Sequence, residues 1–203
     1  MMQRSPARIP LRVASVRRPP PKIRKGISIS ALETSYILIT LITLILAFTY
    51  FFGIDDEGII IGVTMGVILH ELGHKFVAQS LGFHSEYRLW LIGLVLVLAF
   101  ALISKGKFIF AAPGFVVTEG YATLKEKGMV SLAAPATNIL LVLFFLAIPV
   151  PWGKSAAMVN AFLAIFNLLP ISPLDGKTVK NWSEAVWASS FVVSLALSLF
   201  FLL

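Results

Sequence analysis

The chain has 203 residues, of which 58% are hydrophobic and only 13% are charged. Typical soluble domains contain about 45–50% apolar and about 25% charged residues, and the mean hydropathy here is +0.89. These values exclude a disordered protein and indicate a membrane protein, since lipid accepts this much apolar surface. The absence of cysteine excludes disulfides, thiolate metal ligands and cysteine nucleophiles.

The net charge of +7 belongs to one end of the chain. Eight of the 17 basic residues lie within residues 1–30, where there is no acidic residue, and the remaining 173 residues are close to neutral. We therefore predict a basic, proline-rich tail over residues 1–33 that does not fold by itself and stays in the cytoplasm by the positive-inside rule. No nucleic-acid partner is predicted.

Residues 34–203 are predicted to form an all-α polytopic domain embedded in the membrane. A spanning helix needs about 17–25 mostly apolar residues. Five to six transmembrane helices are expected, and the runs that we assign to them with most support are 36–52, 58–81, 129–150, 156–169 and 185–203.

A short re-entrant or β-hairpin element is predicted between the second and fourth helices. The apolar run 89–103 is short, and the next run is broken by Pro113 and Gly114 before the β-branched stretch 115–118, which favours a strand. Residues 84–88 are predicted to be a cytoplasmic loop. An interfacial anchor beside this element is predicted from His84, Tyr87, Arg88 and Trp90.

His70, Glu71 and His74 form the pattern His-Glu-x-x-His late in the second predicted helix. Histidines four residues apart lie on one helical face, so both can bind one Zn²⁺, and Glu71 can act as general base on a water at the metal. Each ionisable group at membrane depth costs about 2.5–3.5 kcal/mol on insertion scales. Three such groups within five residues therefore indicate a functional site.

Asp175 is the candidate for the third ligand that a catalytic zinc requires. It lies in an irregular stretch, residues 170–176, rich in proline and glycine. Irregular backbone at membrane depth is tolerated only around protein or a water-filled cavity. Considered alone, Asp175 is better explained as a surface aspartate that caps a helix. It becomes a ligand candidate because its loop and the histidines are predicted on the same cytoplasmic side.

Together, His-Glu-x-x-His at 70–74 and Asn-x-x-Pro-x-x-x-Leu-Asp-Gly at 167–176 resemble the site-2 protease family of intramembrane zinc metalloproteases. The resemblance covers about residues 58–176. It implies one zinc ion per chain, held by His70, His74 and Asp175, with Glu71 as catalytic base. The implied substrate is a transmembrane protein in the lipid bilayer of the cell membrane.

Two asparagines are candidates for positioning the substrate. Asn167 matches the asparagine of the second family signature. Asn138 ends the stretch 133–138, which corresponds to a Gly-Pro-containing family pattern but lacks its glycine. Asn138 is predicted to position the substrate as a donor on the oxyanion side, to support a metal ligand from behind, or to make an interhelical hydrogen bond.

The length leaves no room for a PDZ or nucleotide-binding module, so we expect a minimal, multi-pass member with a cytoplasmic N-terminus. Residues 108–121 are expected to offer a strand edge to an unwound substrate. Two alternatives stay open: a metal-ion transporter that uses the same His/Asp site, and a non-catalytic membrane scaffold. A transporter is disfavoured by the lack of repeat symmetry, and a scaffold by the complete ligand set.

Overall fold

The computed structural model of the chain describes residues 29–52, 56–105, 109–120 and 122–202. Almost all of the predicted basic tail lies outside the described residues. The described chain forms the helices α1 Ala31–Phe52, α2 Glu57–Ser80, α3 Leu91–Ile103, α4 Leu124–Ala147, α5 Gly153–Asn167, α6 Asp175–Trp182 and α7 Glu184–Phe200, and the strands β1 His84–Leu89 and β2 Gly114–Glu119.

The predicted helical membrane protein is confirmed. Three of the described helices, α1, α2 and α4, are long and apolar enough to cross a bilayer. The apolar helices α3 and α7 are shorter, with 13 and 17 residues. Helix α5 has 15 residues, many of them buried.

Helix α2 lies at the centre and packs closely against α5. Its glycines at 58, 62 and 66 recur every four residues and therefore lie on one face. A Cβ added at Gly62 would lie 2.8 Å from Ala156 Cα, and one added at Gly66 would lie 2.7 Å from Asn160 Oδ1. Small residues at this seam let the two helices approach, as helix contacts in membranes require.

The predicted element between the second and fourth helices consists of β1, α3 and β2. The strands pair antiparallel from His84 opposite Glu119 to Leu89 opposite Gly114. The prediction of a loop at 84–88 is wrong, because this segment is β1. Tyr87 is likewise no interfacial anchor: it is 2% exposed, and its hydroxyl shares a 2.7 Å hydrogen bond with Thr40. Strand alternation turns its side chain inward.

A buried ion pair joins α1, α2 and β1. Lys75 Nζ donates to both carboxylate oxygens of Glu33 at 2.7 Å and to the Ser85 carbonyl at 3.1 Å. Glu33 also accepts the Tyr87 backbone N–H at 2.9 Å. Glu33, at the end of the predicted tail, thus belongs to α1 and to the packed domain.

A compact turn carries the chain from α5 into α6. A Cβ on Gly176 would overlap the Leu168 carbonyl oxygen, so only glycine allows the first turn of α6 to lie this close to the end of α5. The Trp187 indole N–H donates to the same carbonyl at 2.8 Å. These contacts place Asp175 at the start of α6, a short helix that the sequence patterns did not predict.

Candidate metal centre

His70, His74 and Asp175 come together at one point between α2 and α6. The Nε2 atoms of His70 and His74 lie 3.5 Å and 3.3 Å from Asp175 Oδ2. One ligand atom from each residue lies within 4.8 Å of the others. The two imidazole rings are nearly perpendicular, with centroids 5.1 Å apart. The predicted ligand set is therefore assembled by the fold from two distant segments.

This donor set fits a zinc ion. Zinc takes imidazole nitrogen and carboxylate oxygen at about 2.0–2.2 Å in tetrahedral geometry, which places neighbouring ligand atoms about 3.3–3.5 Å apart. The two separations from Asp175 Oδ2, 3.3 and 3.5 Å, match that spacing. Three protein ligands leave the fourth position open, as in catalytic zinc sites.

Each histidine is held from behind through its other ring nitrogen. His74 Nδ1 lies 2.9 Å from the Val130 carbonyl, and His70 Nδ1 lies 2.7 Å from Asn138 Oδ1. Both partners accept hydrogen bonds, so each Nδ1 carries a proton and each Nε2 is the nitrogen that faces the metal position. Such partners orient metal ligands and fix their tautomers.

Glu71 lies beside the ligands with one oxygen unused. Its Oε2 is buried and has no hydrogen-bond partner among the described residues. A buried carboxylate oxygen without a partner is costly and points to an interaction that a bound group or substrate supplies. This is the placement that a general base requires.

The ligands and Glu71 line a cavity of about 440 Å³. Asn167 lies on its wall, and its amide N–H donates to the Leu163 carbonyl at 2.9 Å. Strand β2 and Tyr87 form another wall. Burial raises the pKa of the Tyr87 phenol above its ordinary value, so the hydroxyl stays neutral.

The two asparagines predicted to position the substrate lie in different places. Asn167 lies on the cavity wall, whereas Asn138 is fully buried behind His70. Sequence reasoning missed Asn160, which hydrogen-bonds to Asn138 at 3.0 Å. Its signal was present: Asn160 lies seven residues before Asn167, two turns along the same face of an apolar helix.

A helical membrane protein in which His-Glu-x-x-His and a distant aspartate converge on one cavity has the ligand pattern of the zinc metalloprotease class. The chain is 35% identical over 167 residues to "Putative zinc metalloprotease MJ0611" of Methanocaldococcus jannaschii, an alignment that covers 74% of this chain and 86% of that relative. It is 32% identical over 139 residues to "Putative zinc metalloprotease Rip2" of Mycolicibacterium smegmatis, covering 58% of this chain and 54% of Rip2.

The chain belongs to this family of zinc metalloproteases. No protein-family model matches it, and no solved structure does. Zinc is the cofactor that the family implies and that the group formed by His70, His74 and Asp175 fits.

Proposed function

We propose that the protein is an intramembrane zinc endopeptidase of the site-2 type, multi-pass with a cytoplasmic N-terminus, that cleaves peptide bonds within or near transmembrane segments of other membrane proteins. One observation carries this proposal: the ligands and Glu71 converge on a cavity inside a helical membrane protein, and a strand forms one wall of that cavity. The basic tail supports the orientation.

His70, His74 and Asp175 would hold the zinc, which when bound polarises a peptide carbonyl and makes water nucleophilic near neutral pH. Glu71 takes the proton of the attacking water on its unpartnered Oε2 and delivers it to the leaving amide nitrogen. Asn167, on the cavity wall, is proposed to hold the substrate backbone beside Glu71.

The β2 edge is proposed as the substrate-binding edge. The Trp90 N–H donates to the Pro113 carbonyl at 2.8 Å, and hydrogen-bonded pairs alternate along an antiparallel ladder. The backbone groups of Val116 and Thr118 therefore point away from β1. The described sheet has two strands, so no third strand covers these groups. A substrate strand can pair with them.

The opposite edge of the sheet is already occupied. The outward N–H of Tyr87 donates to Glu33, and the outward carbonyl of Ser85 accepts from Lys75. A substrate strand therefore has a single edge available, and that edge lines the cavity with the zinc ligands.

Cleavage of a membrane-embedded substrate tests the proposal directly. The purified protein, in liposomes with zinc, should cut a single-pass substrate, and mass spectrometry should locate the cut within or next to its transmembrane segment. Asp175→Ala should lose zinc and cleavage together, because the two histidines alone leave the tetrahedral site incomplete. The transporter or scaffold alternative would be supported if Asp175→Ala loses zinc but the wild type cleaves none of a panel of such substrates.

Val116→Pro should weaken substrate binding without breaking the hairpin. The change removes an N–H that points away from β1, and proline is tolerated on such an edge. Losing one backbone hydrogen bond, worth about 0.5–1.5 kcal/mol net, should raise KM roughly 2- to 10-fold with zinc content unchanged.

The matched control is Val116→Ala, which shortens the same side chain but keeps the N–H. Steady-state cleavage assays should give it a KM close to that of the wild type. Equal KM values for Val116→Pro and Val116→Ala would exclude strand addition at this edge.

A further inference from the structure

Two buried amides form a row behind His70, away from the cavity. Asn138 on α4 and Asn160 on α5 are both fully buried, and neither lines the cavity. Asn138 Oδ1 lies 2.7 Å from His70 Nδ1, and Asn138 Nδ2 lies 3.0 Å from Asn160 Oδ1. Among the described contacts, Asn160 therefore reaches the His70 side chain through Asn138.

Backbone carbonyls determine which way the Asn160 amide faces. Its Nδ2 lies 3.2 Å from the Gly62 carbonyl of α2 and 2.9 Å from the Ala156 carbonyl of its own helix. Carbonyl oxygens only accept hydrogen bonds, so the NH₂ group must face them. The Asn160 oxygen is thereby turned towards Asn138.

The same constraint passes to Asn138. Its NH₂ group donates to Asn160 Oδ1 and to the Gly66 carbonyl at 3.2 Å, which uses both of its hydrogens. Its oxygen must then face His70 Nδ1, and an amide oxygen only accepts. His70 consequently carries a proton on Nδ1, and its Nε2 faces Asp175 Oδ2 at 3.5 Å.

We propose that Asn160 is a positioning residue for the zinc centre: through Asn138 it selects the tautomer of His70 that can bind the metal. This inference rests on the metal site proposed above. A neutral imidazole can carry its proton on either nitrogen, and a proton on Nε2 would block the ligand position. Three backbone carbonyls set this selection: those of Gly66 and Gly62, one and two turns before His70 on α2, and that of Ala156 on α5.

The tautomer can be read in the metal-free protein. The sequence contains three histidines, so ¹⁵N-histidine labelling of the full chain in detergent micelles gives few resonances to assign, and His84→Asn identifies one set. In the wild type, His70 should carry a proton on Nδ1, the nitrogen that faces Asn138 Oδ1. Asn160→Leu should give a mixture of the two tautomers. A wild-type His70 with a proton on Nε2 and none on Nδ1 would overturn the proposal, whether or not the variant folds.

Zinc affinity, measured by chelator competition, separates positioning from simple helix packing. Outer partners of metal ligands typically contribute 10- to 100-fold in metal affinity. Asn138→Leu should therefore lower the zinc affinity by an amount in this range, and Asn160→Leu should lower it by about 10-fold. The double variant should bind zinc like Asn138→Leu alone, because Asn160 reaches the His70 side chain through Asn138. The proposal would be contradicted if the losses of zinc affinity in the two single variants multiply in the double variant. It would also be contradicted if Asn160→Leu binds zinc as tightly as the wild type.

Ser155→Ala is the matched control, since Ser155 also makes a polar contact between α5 and the α2 end, to Asp56 at 2.6 Å, away from His70. Its zinc affinity and His70 tautomer should equal those of the wild type. A loss of zinc affinity in Ser155→Ala as large as in Asn160→Leu would assign Asn160 to helix packing alone. A wild type that binds no zinc would overturn the proposed function, and the tautomer measurement would still test Asn160.

Discussion

Glu71→Gln is expected to abolish cleavage of a membrane substrate while one zinc stays bound per chain. Glutamine keeps the size of the side chain but cannot take a proton from water, and general-base catalysis typically contributes about 10²- to 10⁴-fold. Its three neighbours that bind the metal are untouched, so the zinc content should not change. Cleavage rates in liposomes and metal analysis of the same preparation measure both quantities.

The matched control is Glu57→Gln. Glu57 is an exposed glutamate in the first turn of the same helix, 13 residues before His70. This variant should cleave within about twofold of the wild type, as surface substitutions usually have small effects. Cleavage by Glu71→Gln at the rate of Glu57→Gln would remove Glu71 from the mechanism.

The same substitution separates the two remaining alternatives from the protease. A transporter that moves metal through His70, His74 and Asp175 has no need of a base, so Glu71→Gln would leave zinc flux into liposomes unchanged. A scaffold would bind transmembrane helices equally well with glutamate or glutamine at position 71. Only a hydrolase loses its activity through this one proton acceptor.

Lys75→Met is expected to lower the free energy of unfolding by about 3–5 kcal/mol, the cost of removing one partner from a buried ion pair. The Glu33 carboxylate would stay buried with the Tyr87 N–H but without its cation. The pair joins α1, α2 and β1, so the hairpin next to the zinc site should loosen as well. Unfolding in mixed detergent micelles, monitored by circular dichroism, measures the change.

Two further variants make this result specific. Lys154→Met removes an exposed lysine from α5 and should change stability by less than about 0.5 kcal/mol. The double variant Glu33→Gln with Lys75→Met leaves no unpaired charge and should recover part of the loss. A loss below about 1 kcal/mol in Lys75→Met would instead be typical of an exposed pair.

Local periodicity was enough to predict part of the site. His70, Glu71 and His74 could be placed on one helical face because an α-helix repeats every 3.6 residues, which holds wherever the helix packs. Composition alone indicated a membrane protein, because a chain this apolar must bury much of its surface in lipid. The strand at 115–118 was predicted from its β-branched residues and corresponds to β2.

Other features depended on contacts between distant segments. Asp175 lies about a hundred residues after the histidines, and its 3.3 Å approach to His74 depends on the Gly176 turn and on Trp187. The inward side chain of Tyr87 depends on β1 pairing with β2, since an isolated segment at 84–88 had no partner to make it a strand.

The sequence by itself indicated a helical membrane protein with a zinc metalloprotease motif, because apolar composition and the short spacing of His70, Glu71 and His74 are local properties. Only the tertiary structure decided that Lys75 pairs with Glu33 and that Asn160 supports His70 through Asn138. Buried polar side chains require partners, but residue type does not say which partner the fold will supply. That choice is made by helix packing, which brings together positions 42 and 22 residues apart.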